Sequence, residues 1–279
     1  MVTHSTTLSG APASRDAAPN TWFGALPSLS LWWREIVRFY RQRSRVVGVI
    51  ASPVVFWLVI GSGFGSSFRG AGGADQHYLN FFYPGALIMI VLFTSIFTMM
   101  SVIEDRREGF LLSVLVAPVG RSVIVMGKVL GGATLATIQG LIFLAFARIV
   151  GVHFTLERFA LIVLVVALVS FALTALGFAI AWPMDSAQAF HAVVNLFMIP
   201  LWLVSGALFP LSGASPWIRA IMRANPLTYG VGALRALLFP GAPVDFSVSF
   251  AIAVLAAFSV AMFGVAFFVA NRRTTKPAA

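Results

Sequence analysis

Five consecutive charged residues, Glu104-Asp105-Arg106-Arg107-Glu108, are followed by Gly109 and stand between two long apolar stretches. Charges are costly inside lipid, so this run marks a membrane edge and offers a handle to a partner in solution. Other chemistry-bearing patterns fail. Gly127-Lys128 resembles the end of a phosphate-binding loop. That loop needs Gly five residues before the pair and Ser or Thr after it, where Ser122 and Val129 stand. The glycines from Gly61 to Gly65 end an apolar stretch instead of opening a helix after a strand, and they read as a flexible turn. His4, His77, His153 and His191 lack metal-ligand spacing. No Ser–His–Asp set is defined, and the absence of cysteine excludes disulfide, thiol and iron–sulfur chemistry. The chain is therefore not expected to be an enzyme, nor to hold a metal or cofactor itself.

The elements that position the charged run are membrane helices. Hydrophobic residues make up 59% of the chain and charged residues 10%, with 26 Phe. Such a composition implies an all-α integral membrane protein. The net charge of +10 is carried by membrane-flanking segments, so no nucleic-acid partner is expected. A span needs about 20 apolar residues, and six segments qualify: 46–65, 83–103, 123–147, 159–182, 188–209 and 248–270. They form one domain over 29–272, between a disordered polar tail at 1–28 and a short tail at 273–279. The N-terminal stretch lacks the basic start and apolar core of a signal peptide. With both termini in the cytoplasm, that side holds thirteen Lys and Arg and the other side six. This is the positive-inside bias.

Arg34, Arg38, Arg41 and Arg45 share one face of a helix from Leu29, with Trp32, Ile36 and Phe39 on another. This amphipathic helix is suited to the cytoplasmic interface, as a lipid anchor or as a lever touching a partner. Ser215-Pro216 and Asn225-Pro226 each pair an N-cap residue with a first-turn proline. They predict two short helices, to Arg223 and toward Phe239. Both are too apolar for free solution and are expected to dip back into the outer leaflet as a re-entrant hairpin. No span carries a carboxylate near its middle, which counts against proton or ion coupling. Lys128 is expected to snorkel to the cytoplasmic edge. Gly127, Gly131, Gly132 and Ala136 predict close helix packing against an unspecified neighbour. Thr94, Ser95, Thr98, Thr137, Gln139, Asn195 and Ser205 either line a mildly polar path or bond between helices.

Three stretches together resemble the permease subunits of type-2 ATP-binding-cassette exporters, including daunorubicin-resistance and nodulation lipo-oligosaccharide permeases. They are Glu104 to Gly109 with Leu112, Leu115, Pro118 and Arg121; Ser205-Gly206-Ala207-Leu208-Phe209-Pro210; and Asn225-Pro226-Leu227-Thr228-Tyr229 with Arg235. The resemblance covers about 30–272. It implies that Glu104, Asp105, Arg106, Arg107, Glu108, Gly109, Pro118 and Arg121 form a loop coupling to an ATPase. It also implies that Ser205, Gly206, Phe209, Pro210, Asn225, Pro226 and Tyr229 belong to an outer gate. Phe110, Leu111 and Leu112 depart from the family, which often has Thr and then Leu-Glu there.

The resemblance implies two copies of a separate ATPase carrying ATP and Mg, a second permease copy, and a bacterial inner-membrane location. The expected cargo is hydrophobic or amphipathic, a drug or lipid. Alternatives are polysaccharide or lipo-oligosaccharide export within the same family, a channel or secondary transporter acting alone, and a membrane scaffold.

Overall fold

The computed structural model describes residues 22–41, 43–63, 78–111, 120–152, 155–243 and 245–272. The described residues are helical, with no strand among them. Helix α1 covers Trp22–Arg41 and α2 Arg43–Gly63. Helices α3 (Tyr78–Thr98) and α4 (Met100–Arg107) run on with a break at Met99. Then come α5 (Arg121–Leu144), α6 (Leu156–Ala181), α7 (Ala187–Trp202), α8 (Pro216–Ala224), α9 (Pro226–Leu238) and α10 (Val248–Asn271).

Five helical stretches are long and apolar enough to cross a membrane: Tyr78–Arg107, Arg121–Ile149, Leu156–Ala181, Ala187–Ala207 and Val248–Asn271. They account for the last five expected spans. The first expected span falls on α2, whose described apolar stretch is Pro53–Gly63.

Helix α3 is the axis of the bundle. In its most apolar window 83% of residues are buried, against 17% for α10, so α10 turns most of its surface outward. Helices α2, α5 and α6 pack around α3, and α10 lies along α6 and α9. Glycine sets the closest crossings. A Cβ on Gly132 would meet the Thr174 methyl at 2.6 Å and Thr98 Oγ1 at 2.7 Å, joining α5 to α6 and α3. Gly61 belongs to such a crossing and not to a turn: its Cβ would lie 2.5 Å from Leu79.

Helix α1 extends back to Trp22, inside the stretch read as a tail. Arg45 falls within α2, and residue 42 lies outside the described residues. The neighbour left open for the glycine stripe is α1. Cβ atoms on Gly127 and Gly131 would lie 2.7 Å from Leu31 Cβ and 2.8 Å from Glu35 Cβ. Trp32 donates its indole N–H to Thr134 on α5 at 3.1 Å, fixing the rotation of α1.

Candidate functional site

The glycine-seated approach of α1 to α5 brings Glu35 into a buried cluster of charges with α4. Lys128 on α5, 1% exposed, donates to Glu35 Oε1 at 2.6 Å and to Ser101 Oγ at 3.0 Å, and also bonds Asp105 Oδ2. Ser101 donates to Glu35 Oε2 at 2.8 Å. Asp105, fully buried, accepts a fork of two bonds from Arg34 at 2.8 and 3.0 Å and a further bond from Arg38 at 2.8 Å. Arg38 spans on to Glu104 at 2.8 Å. The bonds to Asp105 raise the Arg34 pKa above its ordinary value, against the opposing effect of burial.

Each buried charge thus has partners of opposite sign, the condition under which charges are tolerated away from water. Lys128 does not snorkel: its ammonium is held inside by two carboxylates. Arg34 and Arg38 turn toward α4 and not outward, while Arg41 stays exposed. Phe110, where the resemblance expected a different residue, carries the Arg34 guanidinium 3.8 Å above its ring.

The other side of α4 is tied to the turn between α6 and α7. Arg106 donates to the carbonyls of Trp182 and Met184 and pairs with Asp185 at 3.1 Å. Arg107 Nε donates to the Asp185 carbonyl at 3.0 Å. Arg121 donates to the Ala270 carbonyl at 3.1 Å, satisfying the C-terminal end of α10. The expected handle is therefore divided. Glu104, Asp105 and Arg106 are drawn inward, whereas Arg107 is exposed and Glu108 is 61% exposed. Gly109 closes the corner in the left-handed region, at φ 76°. Pro118 lies outside the described residues, as do His4, His77 and His153.

At the other end of the bundle, α7 ends in a π-type turn over Leu203–Ala207, with Val204 and Gly206 off helical geometry. Gly206, at φ 81°, supplies the left-handed residue. A turn of this kind frees carbonyls, and residues distant in sequence satisfy them. Asn225 Nδ2 donates to the Leu201 carbonyl at 2.6 Å, while its Oδ1 caps α9 by accepting from Leu227 N–H at 3.0 Å. Arg235 donates to the Gly206 carbonyl at 2.8 Å and to that of Phe81 at 3.3 Å. Ser205 bonds the Trp202 carbonyl at 2.6 Å.

Pro226 opens α9 and Pro210 precedes a short 3-10 turn at Leu211–Gly213. Phe209 packs on Leu211, Ala214 and Met222. Tyr229 donates to the Arg223 carbonyl at 2.8 Å and packs against Phe246, with centroids 4.7 Å apart. Ser215 precedes α8 but makes no side-chain cap. The second and third motif stretches are thus two halves of one structure.

Most of the polar residues considered for a path instead bond within or between helices. Thr94 donates to Gln139 at 2.8 Å and Ser95 to the Ser170 carbonyl at 3.3 Å. Thr137 bonds its own helix at Ala133. Asn195 is exposed on α7 beside Leu196 and Phe197. Among the described residues no group of His, Cys, Asp and Glu could hold a metal ion. The sequence reading missed Glu35 altogether. A lone carboxylate at position 35 between Arg34 and Arg38, on a helix otherwise apolar and basic, was its one available signal.

Fold and composition define a polytopic helical membrane protein whose charged residues gather at the helix ends. The sequence pattern of the ABC-2 type transporter family matches residues 28–239, and the chain belongs to that family as a transport permease. It is 25% identical over 218 residues to the daunorubicin resistance ABC transporter permease protein DrrB1 of Streptomyces coeruleorubidus, covering 76% of this chain and 74% of that one. It is 24% identical over 216 residues to the inner membrane transport permease YadH of Escherichia coli K12, covering 74% and 80%.

Proposed function

We propose that this permease is the membrane subunit of an ATP-driven exporter and receives force at the corner formed by Arg107, Glu108 and Gly109. The observation that carries this reading is the division of the charged run. Its end presents Arg107 and Glu108 to solvent, where a separate ATPase would meet them, while Asp105, three residues before Glu108, is buried and bonded to α1 and α5. A push on the corner then moves α1, α4, α5 and the α6–α7 turn together, because ion pairs and carbonyl bonds join them. ATP and Mg belong to the partner, two copies of which close on each other and drive alternating access.

In this reading α2 is the sixth span: 21 residues rise about 31 Å, close to the thickness of a bilayer core. The Lys and Arg bias puts the α4 end and both termini in the cytoplasm of a bacterial inner membrane. The α8–α9 hairpin then lies in the outer leaflet as a re-entrant gate. A second permease copy completes the pathway, in keeping with the exposed apolar faces of α7 and α10. The daunorubicin-resistance relative and the apolar surface favour a hydrophobic or amphipathic cargo.

The test is affinity purification of the tagged chain from its native membrane, with mass spectrometry of the chains that accompany it. A cassette ATPase retained by the wild type, and lost with export when Arg107 and Glu108 are both charge-reversed, is the expected result. A chain that exports cargo without such a partner contradicts the proposal.

A further inference from the structure

Arg235 stands where two cavities meet. The larger, about 460 Å³, is lined by Asn80, Phe81, Gly151, Arg235, Phe239 and Gly241 among others. Arg235 also lines the smaller one, together with Asp245 and Phe246. The guanidinium lies 4.1 Å from the centroid of the Phe81 ring and bonds two backbone carbonyls. Its Nε is buried with no hydrogen-bond partner. Among the described residues, no carboxylate lies within 4.0 Å of it to form an ion pair.

Its guanidinium is a cation at neutral pH, and Asp245 lines the smaller cavity with it. Carbonyls and the C-terminal dipole of α9 offset that charge only in part, since a helix end carries about half an elementary charge. A largely buried cation without a counter-ion is costly unless something supplies one.

We propose that the larger cavity binds a phosphate-type anion, with Arg235 as its cationic contact. Guanidinium matches phosphate through parallel N–H bonds, and a cavity of this size admits a phosphate with part of its carrier. Phe81, Leu238 and Phe239 offer the carrier an apolar wall. The site rests on Arg235 and its cavity and is independent of ATP coupling. The anion has two possible sources, a phospholipid headgroup and free phosphate.

The test uses the full chain in dodecyl maltoside micelles, which contain no phosphate, with lipid adducts counted by native mass spectrometry. The probes are dioleoyl phosphatidylglycerol, dioleoylglycerol, which lacks the phosphate, and inorganic phosphate. Phosphatidylglycerol should be retained at one per chain and dioleoylglycerol should not. Arg235→Gln should weaken retention roughly tenfold, the scale of one charge-assisted bond. Ala242 also lines the cavity; Ala242→Phe, which narrows it and touches neither carbonyl that Arg235 bonds, should do the same and guards against a folding defect. Displacement of the lipid by millimolar inorganic phosphate supports the site with free phosphate as a ligand. Retention despite phosphate supports it with the headgroup as the ligand. Equal retention of the two lipids, or unchanged retention in Ala242→Phe, overturns the proposal.

Discussion

At the α4 end Arg34, Arg38 and Lys128 share bonds with Glu35, Glu104 and Asp105. At the α9 end Arg235 and Asn225 bond backbone carbonyls, those of Leu201 and Gly206 around the π-type turn and that of Phe81 on α3, apart from the cap on α9. The two sites lie near opposite ends of the continuous α3–α4 stretch, since Arg235 touches Phe81 near its start and Lys128 touches Asp105 near its end. The 24 residue steps from Phe81 to Asp105 rise roughly 36 Å along a helix. One end interlocks charged side chains from several helices, an arrangement costly to take apart. The other rests on neutral acceptors in irregular backbone, which rearranges at lower cost. The proposed function, in which a push at one end opens the other, needs this difference.

The comparison breaks most readily at Lys128. Lys128→Met leaves Glu35 and Asp105 short of a buried partner and should cost about 3 kcal/mol, seen as a lower Tm in detergent. Adding Glu35→Leu should restore much of the loss, because a buried pair replaced by apolar groups is close to neutral. If the double variant is no better than the single, Glu35 and Lys128 are not an energetic unit.

Gly127→Leu should cost roughly 1–3 kcal/mol, since even a Cβ there would meet the Ser28 carbonyl oxygen at 2.9 Å. With no native cysteine, a pair of cysteines introduced on α1 and α5 reports the displacement as lost cross-linking. Cross-linking at the wild-type rate would show that α1 does not depend on that seat.

Asn225→Ala should cost about 1 kcal/mol through the lost cap and the unpaired Leu201 carbonyl. Its effect should appear in hydrogen exchange of α8 and α9 and leave the α4 end unchanged. Spread of that effect to α4 would mean that the ends are not energetically distinct. The smallest stability change, under about 0.5 kcal/mol, is expected for the exposed Glu108→Arg. Its signature is weakened retention of the ATPase at an unchanged Tm.

The sequence showed where these sites are better than how they are built. The run at 104–109 and the Asn225-Pro226 start were legible because charge clusters and helix caps are local signals. The inward turn of Arg34 and the pairing of Glu35 with Lys128 were not. They depend on α1 lying against α5, and the two partners are 93 residues apart. Helical periodicity assigned Arg34 and Arg38 to a common face but carried no information on what that face meets. The part of α1 before Leu29 was hidden because Gly24, Pro27 and Ser28 within it read as tail. The link between Ser205-Gly206 and Arg235 was hidden because a π-type turn has no strong local signature, although both stretches were recognised separately.

The division of the charged run between a buried root and an exposed corner is tested most directly by photocross-linking in native membranes. A photoreactive amino acid is placed in turn at Glu108 and at Trp217, which is 66% exposed on α8 at the other end. The account predicts a covalent adduct with a cassette ATPase from position 108 and none from position 217. No ATPase adduct at 108, or one at 217, would contradict it.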